Sequence, residues 1–340
     1  MEISHILQSW YQDNHRDLPW RETHDAYRIW LSEIILQQTR VVQGLDYYLR
    51  FVKAFPTVTD LANATQDDVL KLWQGLGYYS RARNLHYAAQ QVVTEFKGTF
   101  PTHYEDVRRL KGVGPYTAAA IASFSSDEAV AVVDGNVYRV LSRLFDIDTP
   151  IDSTAGQKEF LAVATELLDT HHAGTHNQAI MEFGALHCTP ATPQCDLCPL
   201  REQCLAWANG TIASRPVKAN KVKVRERHLD YIIYKYKDNL WVHQRGAGDI
   251  WQGLWEYVLI DTTLTTTNSP LSTHNFLPSF TLRHQLTHQT LICRFQVIEV
   301  QEPITHLPAE YICISWEEWQ QKAVSRLIVE ANQRLAPLFQ

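Results

Sequence analysis

The sequence lacks any long apolar run, and it also lacks an excess of basic residues. No stretch of its 340 residues approaches 18 consecutive apolar positions, so we expect no membrane-spanning helix and no membrane partner. The formal net charge is −6, whereas proteins that bind nucleic acid nonspecifically are usually basic overall. Any binding to DNA must therefore use local patches.

Cysteine is also scarce, with 6 residues in the whole chain. Four of them fall within 17 residues, at Cys188, Cys195, Cys198 and Cys204. We expect no signal peptide in MEISHILQSWYQDNH, which argues against export and against disulfides. Four thiolates at this spacing can hold a tetrahedral zinc ion or an iron–sulfur cluster, and the spacing does not separate the two.

The chain changes character near residue 215. Before that point, apolar residues recur at helical spacing, which predicts an all-α domain over residues 1–215. The basic, proline-containing stretch 216–228 is predicted to be a linker. Residues 229–340 are predicted to form a smaller α+β domain. The predicted helices of the first part are 62–72, 82–96, 116–124, 137–144 and 157–168.

Strand-like segments dominate the C-terminal part. YIIYKY, NLWVHQR, LWEYVLI and LICRFQVIEV are rich in β-branched and aromatic residues. The Thr/Ser/Asn-rich stretch 261–275 is predicted to be a loop, and residues 316–335 are predicted to be helical.

A second motif, LKGVGPYTAAAIASF, predicts a hairpin between two helices. One helix is expected to end at Leu110 and the next to begin at Pro115. Gly112 and Gly114 between them allow a tight turn with bare backbone N–H groups, which suits one DNA phosphate. An ordinary helix–turn–helix corner would also use glycine here, so the motif gains weight only together with the cysteines that follow it.

Together, the hairpin, the following Asp134 and the cysteine spacing resemble the helix–hairpin–helix DNA glycosylases that carry a [4Fe–4S] cluster. Two subfamilies compete, the endonuclease-III-like enzymes and the adenine DNA glycosylases of the MutY type. Five segments over residues 1–210 resemble the second subfamily in matching order: LPWR, WLSEIILQQTRV, GLGYYSRARNL, VVDGNVYRVLSRL and NQAIMEFGA. More loosely, QRGAGDIWQGLWEY and RHQLTHQ resemble the MutT-like, nudix-fold domain appended to it.

The resemblance implies a fold, a substrate and a cofactor. The fold is an all-α helix–hairpin–helix glycosylase domain with a cluster loop, 188–204, plus a C-terminal α+β nudix-like domain. The four cysteines would hold [4Fe–4S]. The partner would be double-stranded DNA containing adenine opposite 8-oxoguanine or guanine, bound by a monomer in the bacterial cytoplasm at the nucleoid.

Excision of a purine requires two carboxyl groups with different roles. The sugar becomes oxocarbenium-like, and adenine leaves poorly unless an acid protonates it, as in glycosidases. Glu33 is our candidate acid, because its apolar neighbours on a predicted helix would raise its pKa. From the residues alone, a solvated helix face is the better-favoured interpretation, since Gln37 lies at i+4. The resemblance favours the acid.

Asp134 is the candidate for the ionised carboxylate. It precedes Gly135 and Asn136 at the predicted N-cap of a helix, where backbone donors and the helix dipole are expected to lower its pKa. Capping alone would also explain it. Asn136 is expected to help orient the pair.

Tyr116 separates the two subfamilies. In lyases of the endonuclease-III type, this place in the hairpin holds a lysine that forms a Schiff base. Tyrosine can hydrogen-bond the Asp134 region but cannot form the imine. The resemblance therefore implies a monofunctional enzyme, although a packing aromatic is the plainer interpretation.

The resemblance also assigns the residues that contact bases. A flipped adenine would enter a pocket, two side chains would enter the duplex as a wedge, and a C-terminal loop would help detect the opposite base. The pocket residues are Arg16, Trp20, Arg21, Leu36 and Glu182. The duplex-entering residues are Gln38 and Tyr78, with Leu76 nearby, and the checking loop contains Thr287 and His288.

Two other functions remain as alternatives. One is an endonuclease-III-like pyrimidine-lesion glycosylase/lyase, against which Tyr116 and the second domain argue. The other is a noncatalytic iron–sulfur DNA-binding sensor, which would need neither Glu33 nor Asp134.

Overall fold

The chain folds as two compact units. The computed structural model describes residues 2–219, 224–260, 275–276, 279–305 and 307–339. The first unit comprises Met1–Ala62 and Tyr87–Lys221, and the second comprises Asn63–His86 and Val222–Gln340. The second unit therefore joins a segment of helical sequence to the C-terminal part of the chain.

The chain up to residue 219 folds as helices joined by loops. In chain order they are α1 (Glu2–Asn14), α2 (Ala26–Leu36), α3 (Val41–Ala54), α4 (Val58–Asn63), α5 (Gln66–Trp73), α6 (Ser80–Glu95), α7 (Tyr104–Arg108), α8 (Pro115–Ser126), α9 (Gly135–Leu144), α10 (Thr154–Leu167), α11 (Ala173–Leu186) and α12 (Leu205–Ala208). In the described part of the chain, every helix is too short or too polar to cross a bilayer.

Helix α2 is buried on almost every side. Asp25 caps its N-terminus by accepting from the Tyr27 N–H, and Trp30 and Leu31 are fully buried. A helix in the core of a domain is normally apolar all round. Ser32 and Glu33 on α2 therefore lie in the protein interior, whereas Arg28 is exposed.

Helix α9 is amphipathic, as its sequence predicts. The apolar face carries Val137, Val140, Leu141 and Leu144, and all four are buried. They pack in one core with buried residues of α10 and α11, including Phe160 and Phe183. This packing fixes the start of α9, and so the position of Asp134.

The hairpin joins α7 to α8. Helix α7 ends at Arg108 rather than at the predicted Leu110, because the chain then turns through Gly112, whose φ is +79°. Gly114 is the N-cap of α8 and Pro115 is its first residue, a position that suits proline because it has no N–H to leave unpaired.

One predicted helix is wrong in its extent. Residues 62–72 were expected to be a single helix, but α4 ends at Asn63 and α5 begins at Gln66. Thr65 separates them, because its hydroxyl accepts from the Asp68 N–H and so starts a new helix. The other four predicted helices correspond to α6, α8, α9 and α10, with ends shifted by a few residues.

The C-terminal part contains a mixed β-sheet. Its strands are β1 (Arg225–Tyr236), β2 (Asn239–Gln244), β3 (Trp255–Ile260), β4 (Asn275–Phe276), β5 (Phe280–Gln285), β6 (Gln289–Glu299) and β7 (Ile312–Ser315). The order is β4-β6-β1-β3-β2-β7, and β5 also pairs with β6. Strands β1 and β6 are parallel and central, and the other pairs are antiparallel.

Two helices complete this unit, α13 (Trp316–Gln321) and α14 (Arg326–Leu335). The buried face of α14 includes Leu327, Ala331 and Leu335, which pack with Tyr231 and Phe295 of the sheet. Sheet and helices thus share one core, and the predicted strands are confirmed. The predicted helical segment 316–335 is confirmed except at residues 322–325, where Ser325 caps a new helix.

The sequence did not predict β5 or β7, which are short or polar on one face. Strand β1 begins at Arg225, inside the stretch 216–228 that was predicted to be a linker. The reason is its parallel pairing with β6 from Arg225 onward. Residues 220–223 of the linker, and the predicted loop 261–275 except Asn275, lie outside the described residues.

Candidate active site

One cavity of about 330 Å³ in the helical unit collects half of the predicted site residues, including all four predicted catalytic ones. Side chains from α2, α8, α9 and α11 form its walls. The predicted residues that line it are Arg16, Trp20, Arg21, Glu33, Leu36, Gln38, Tyr116, Asp134, Asn136 and Glu182.

Glu33 is buried at the cavity wall, so the solvated-face interpretation is wrong. It sits on α2 with 7% of its surface exposed. The pKa of its carboxyl is raised from 4.5 to about 7, mainly by burial. A hydrogen bond from Tyr116 lowers this pKa, and the charge of Asp134 raises it. A carboxyl group with this pKa is partly protonated near neutral pH and can donate a proton.

Asp134 caps α9, as predicted. Its Oδ1 accepts from the N–H groups of Asn136 at 2.9 Å and Val137 at 2.8 Å, and its Oδ2 accepts from Asn136 Nδ2 at 2.8 Å. The expected lowering of its pKa is wrong, because burial raises the pKa of Asp134 more than these donors and Arg139 lower it. The group is held in place by its donors and is poorly solvated.

Tyr116 contacts Glu33 and not Asp134, which was the expected partner. Its hydroxyl donates to Glu33 Oε2 at 2.7 Å, rather than bonding in the Asp134 region. The reason is geometric, since Tyr116 lies in the first turn of α8 and α8 packs against α2. Burial, followed by the charges of Glu33 and Asp134, raises the pKa of Tyr116 well above its usual value. Tyr116 is therefore a neutral donor that orients Glu33.

Glu182 is clamped by two arginines at one side of the cavity. Arg16 donates from Nε and Nη2 at 2.7 and 2.5 Å, and Arg21 donates from Nη1 and Nη2 at 2.8 and 2.6 Å. Burial raises the pKa of Glu182, but these hydrogen bonds outweigh it and bring the pKa to about 2. The result is a fixed anion flanked by two fixed cations.

The remaining predicted wall residues differ in character. Trp20 packs edge-on against Tyr48 with ring centroids 5.1 Å apart, and it still borders the cavity, so core packing and lining coexist. Gln38 has a left-handed backbone, with φ +57°, just beyond the end of α2. A side chain held in that conformation is common at functional sites.

Sequence reasoning missed several polar residues that also line the cavity, including Ser32, Gln37 and Gln178. Helical spacing would have found two of them. Gln37 lies four residues after Glu33, and Gln178 lies four residues before Glu182, so each shares a helix face with a predicted residue.

The four clustered cysteines lie beside the core of the helical unit. Cys188, Cys198 and Cys204 pack against it, and Arg143 donates to Cys188 Sγ at 3.4 Å. Burial is the main reason that the pKa of Cys198 rises to about 11, and a backbone hydrogen bond partly opposes it. The other three thiols also raise this pKa, because all four lie close enough to interact electrostatically. Across the described residues, no three Cys, His, Asp or Glu side chains converge closely enough to hold a single metal ion.

A series of hydrogen bonds links Asp134 to the cysteine loop. Asn136 Oδ1 accepts from Arg139 Nη2 at 2.9 Å, and Arg139 Nε donates to the Cys188 carbonyl at 2.8 Å. Arg139 also donates to the Gly184 carbonyl at 2.6 Å and is 8% exposed. One buried guanidinium thus joins the start of α9, the end of α11 and the first cysteine.

The other predicted base-contacting residues lie in the second unit. Leu76, Tyr78, Thr287 and His288 all border a cavity of about 520 Å³. The Tyr78 and Thr287 hydroxyls form a hydrogen bond. The hairpin residues Gly112 and Gly114 border neither cavity and lie at the α7–α8 turn described above.

Comparisons with known proteins agree on one family. Residues 31–163 match the model of the HhH-GPD superfamily base excision DNA repair protein. An adenine DNA glycosylase of Buchnera aphidicola subsp. Schizaphis graminum is 35% identical over 265 residues, which is 78% of this chain and 76% of the relative. A human adenine DNA glycosylase is 44% identical over 209 residues, 59% of this chain and 38% of the longer human protein.

The solved structure of a thermostable thymine-DNA glycosylase is also similar. Its TM-score is 0.57 at 26% identity, and the match covers 61% of this chain and 95% of that one. The chain therefore combines an HhH-GPD helical glycosylase fold with a C-terminal sheet-containing part, and it belongs to the adenine DNA glycosylase family.

Proposed function

We propose that the protein is a monofunctional base-excision repair enzyme that hydrolyses the N-glycosidic bond of adenine in duplex DNA, opposite 8-oxoguanine or guanine. The single observation that carries this proposal is a buried carboxyl group with a pKa of about 7, Glu33, in one cavity with a second carboxylate, Asp134. Membership of the adenine DNA glycosylase family supports the choice of base.

Glu33 is assigned the role of general acid. A flipped adenine in the cavity presents ring nitrogens that must be protonated before the base can leave as a neutral molecule. Tyr116 holds the Glu33 carboxyl by Oε2, and Glu33 borders the cavity. The proton moves from Glu33 to the base as the bond to the sugar breaks.

Asp134 is assigned the stabilisation of the sugar cation. Its carboxylate is fixed by two backbone donors and Asn136, so little reorganisation is needed when positive charge develops nearby. Because burial raises its pKa in the free protein, a cation in the cavity would favour its ionised form. Water then attacks the sugar, and Glu33, now deprotonated, is a base within the same cavity.

The adenine itself is assigned to the Arg16–Glu182–Arg21 side of the cavity. Glu182 is ionised and accepts four charge-assisted hydrogen bonds from the two guanidinium groups and a fifth from the Arg16 N–H, so its role is to fix Arg16 and Arg21 at this wall. Trp20 and Leu36 supply apolar wall surface for the purine ring.

Recognition of the opposite base is assigned to the cavity in the second unit. Tyr78 and Thr287 offer hydroxyl groups there, and His288 offers a ring nitrogen. Leu286, which precedes Thr287, has no aromatic ring, so hydroxyl contacts rather than stacking carry the recognition at this loop. Gln38 and Leu76 are assigned, with Tyr78, to the side chains that enter the duplex.

We assign residues 1–215 to the glycosylase domain, 216–228 to the connection, whose last residues already pair as the start of β1, and 229–340 to a nudix-like recognition domain. The mixed sheet with α13 and α14 supports an α+β recognition domain. Gly112 and Gly114 are assigned to DNA backbone binding, because the first N–H groups of α8 have no partner within the helix. A monomer satisfies every one of these roles.

A [4Fe–4S] cluster is assigned to Cys188, Cys195, Cys198 and Cys204. The donor set fits, since a [4Fe–4S] cluster is held by four cysteine thiolates. Arg143, which donates to Cys188 Sγ, suits an anionic cluster. The cluster would crosslink the loop, and a zinc-containing, colourless protein would contradict this assignment.

The decisive experiment is a single-turnover assay on duplexes with adenine opposite 8-oxoguanine, guanine or thymine. We expect adenine release from the first two and little from the third, with strand breaks appearing only after alkali. Release of oxidised pyrimidines instead of adenine would support the endonuclease-III-like alternative, and duplex binding without any excision would support the noncatalytic sensor.

Tyr116 allows a second test of monofunctional chemistry. Wild type should give little borohydride-trapped adduct, because Glu33 and Tyr116 offer no amine to form an imine. Tyr116→Lys should introduce trapping and strand cleavage. Equal trapping by wild type and variant would contradict the assignment.

A further inference from the structure

We propose that Asp67 and Lys71 on α5 are positioning residues for opposite-base discrimination. They would act by holding the loop after α5 against the C-terminal sheet, so that Tyr78 meets Thr287. This inference rests on the proposed role of Tyr78 and Thr287 in reading the opposite base. It concerns the second unit alone, which contains residues 63–86 together with the sheet.

Asp67 anchors α5 to two neighbouring strands. Its Oδ1 accepts from Gln244 Nε2 on β2 at 2.9 Å, and its Oδ2 accepts from Trp255 Nε1 on β3 at 3.2 Å. Both donors belong to the sheet, and the Gln244 amide is fixed by a second bond to the Gly253 carbonyl at 2.9 Å. A carboxylate, with two acceptor oxygens, matches two fixed donors in a way that an amide does not.

Lys71 anchors the next turn of α5 to the C-terminal end of α13. Its ammonium donates to the carbonyl oxygens of Gln320 at 2.7 Å and Lys322 at 3.1 Å. The last carbonyls of a helix have no partner within it, and the helix dipole favours a cation there. The contact therefore serves both elements.

Three more contacts continue the attachment beyond α5. Gln74 Oε1 accepts from the Val324 N–H at 3.2 Å, and the Tyr79 hydroxyl donates to the Val324 carbonyl at 3.3 Å. Arg83 donates to the Gln252 carbonyl at 2.7 Å. The segment is thus fixed on both sides of the loop that carries Tyr78.

That loop needs to be held. Tyr78 has φ +48° and follows two other left-handed residues, Gly75 at +103° and Gly77 at +73°. A bulky residue in the left-handed region costs about 1–3 kcal/mol and persists only when its surroundings impose it. Arg81 lies over the rings of both Trp73 and Tyr78, at 5.0 and 5.7 Å, and completes the support from within the segment.

The same segment supports the facing wall of the cavity. Trp251 borders the cavity and is also left-handed, with φ +61°. Two residues later, a Cβ on Gly253 would lie 3.2 Å from Gln66 Nε2 and 3.4 Å from Leu70 Cδ1, so this loop passes directly against α5. Docking of α5 therefore fixes both walls between which Tyr78 and Thr287 meet.

The test measures excision from adenine:8-oxoguanine and adenine:guanine duplexes under single-turnover conditions. In the double variant Asp67→Asn/Lys71→Met, the new amide N–H groups face the donors of Gln244 and Trp255, and the Lys71 ammonium is lost. The side-chain volumes change little. The matched control is Asp13→Asn/Lys53→Met, at exposed positions on α1 and α3. We expect the 8-oxoguanine rate to fall about fivefold, as for one lost hydrogen-bonded contact, with the guanine rate within about twofold of wild type.

Hydrogen exchange of the free protein gives a second readout that needs no catalysis. Amides of residues 75–80 should exchange about tenfold faster in the double variant and at the wild-type rate in the control. The proposal is overturned if the double variant loses activity equally on both duplexes, or if neither rate changes. It is also overturned if exchange at residues 75–80 is unchanged. Wild type that excises adenine from neither duplex contradicts the proposed function instead, and the exchange result still decides whether Asp67 and Lys71 hold the loop.

Discussion

Glu33 illustrates how one residue acquires its chemistry from the fold. The side chain is an ordinary glutamate in sequence, but α2 is buried on nearly every side and carries the carboxyl into a poorly solvated cavity. The raised pKa follows from that placement, with Asp134 adding to it and Tyr116 opposing it. The two carboxyl groups and the tyrosine therefore form one coupled unit.

Replacing this acid should abolish chemistry and preserve binding. We expect Glu33→Gln to lower the single-turnover rate on an adenine:8-oxoguanine duplex by about 10²–10⁴-fold, since glutamine cannot donate the proton. The duplex dissociation constant should stay within a few-fold of wild type. The matched control is Glu166→Gln, at an exposed position on α10. A Glu33→Gln rate close to wild type would refute the acid.

The pH dependence of excision should report the same group. The protonated form of Glu33 is the active one, so the rate is full below its pKa and falls as pH rises through about 7. The hydrogen bond from Tyr116 lowers that pKa, so Tyr116→Phe should move the falling limb to higher pH. Single-turnover rates are measured for both proteins from about pH 5.5 to about pH 9, which extends roughly two pH units to either side of the Glu33 pKa. A limb that shifts to lower pH in Tyr116→Phe would contradict this coupling.

Sequence identified the residues of the site better than their electrostatics. The ten predicted residues around the first cavity could be named because their motifs are local and in order. The direction of the Asp134 pKa and the partner of Tyr116 could not, because both depend on how α2, α8 and α9 pack together. Burial by other elements has no signal in the residue's own neighbourhood.

At the scale of elements, the N-terminus of α9 combines a structural and a chemical role in one carboxylate. Asp134 satisfies two backbone donors of α9 and also faces the cavity. These roles can be separated, because asparagine is nearly as good an N-cap as aspartate but carries no charge.

We therefore expect Asp134→Asn and Asp134→Ala to differ in stability and agree in activity. Asp134→Asn should lower excision strongly while its free energy of unfolding stays near wild type. Asp134→Ala should lose the same activity and also about 1 kcal/mol of stability with the cap. Urea unfolding and single-turnover rates measure the two effects. Equal stability of the two variants would show that the cap contributes nothing.

Element boundaries also show what sequence patterns miss. Periodicity predicted α6, α8, α9 and α10, but it ran α4 and α5 together because the break at Thr65 comes from one side-chain hydrogen bond. Strand β5 was missed because its residues are partly polar, although its partner β6 follows it directly in the chain. Strand β7 was missed because it is short and its partner β2 lies much earlier in the chain. Strand pairing is a nonlocal property.

At the scale of the whole molecule, the division of the chain follows contacts rather than sequence order. The sequence predicts that residues 63–86 belong to the N-terminal domain, but their contacts place them in the same compact unit as the C-terminal sheet. Their attachments, through Asp67, Lys71 and Arg83, run to residues more than 160 positions away. Composition and periodicity contain no information about such contacts.

The cysteine loop and the active site are joined by Arg139, which suggests a prediction for the helical unit as a whole. The guanidinium reaches Asn136, Gly184 and the Cys188 carbonyl at once, and Asn136 in turn donates to Asp134. Lysine keeps the positive charge, but its donors all lie on one nitrogen. It therefore cannot reach acceptors that Arg139 meets from two separate nitrogens, Nε and Nη2.

We expect Arg139→Lys to retain iron and visible absorbance while excising adenine at least about tenfold more slowly, because Asn136 and Asp134 lose a fixed position. The matched control is Arg50→Lys on α3, whose partner Asp46 is exposed. Iron content, the visible spectrum and the single-turnover rate are measured on the same preparations. Loss of iron together with activity would place Arg139 with the support of the cysteine loop alone, and an unchanged rate with intact iron would show that the series of hydrogen bonds does not orient Asp134.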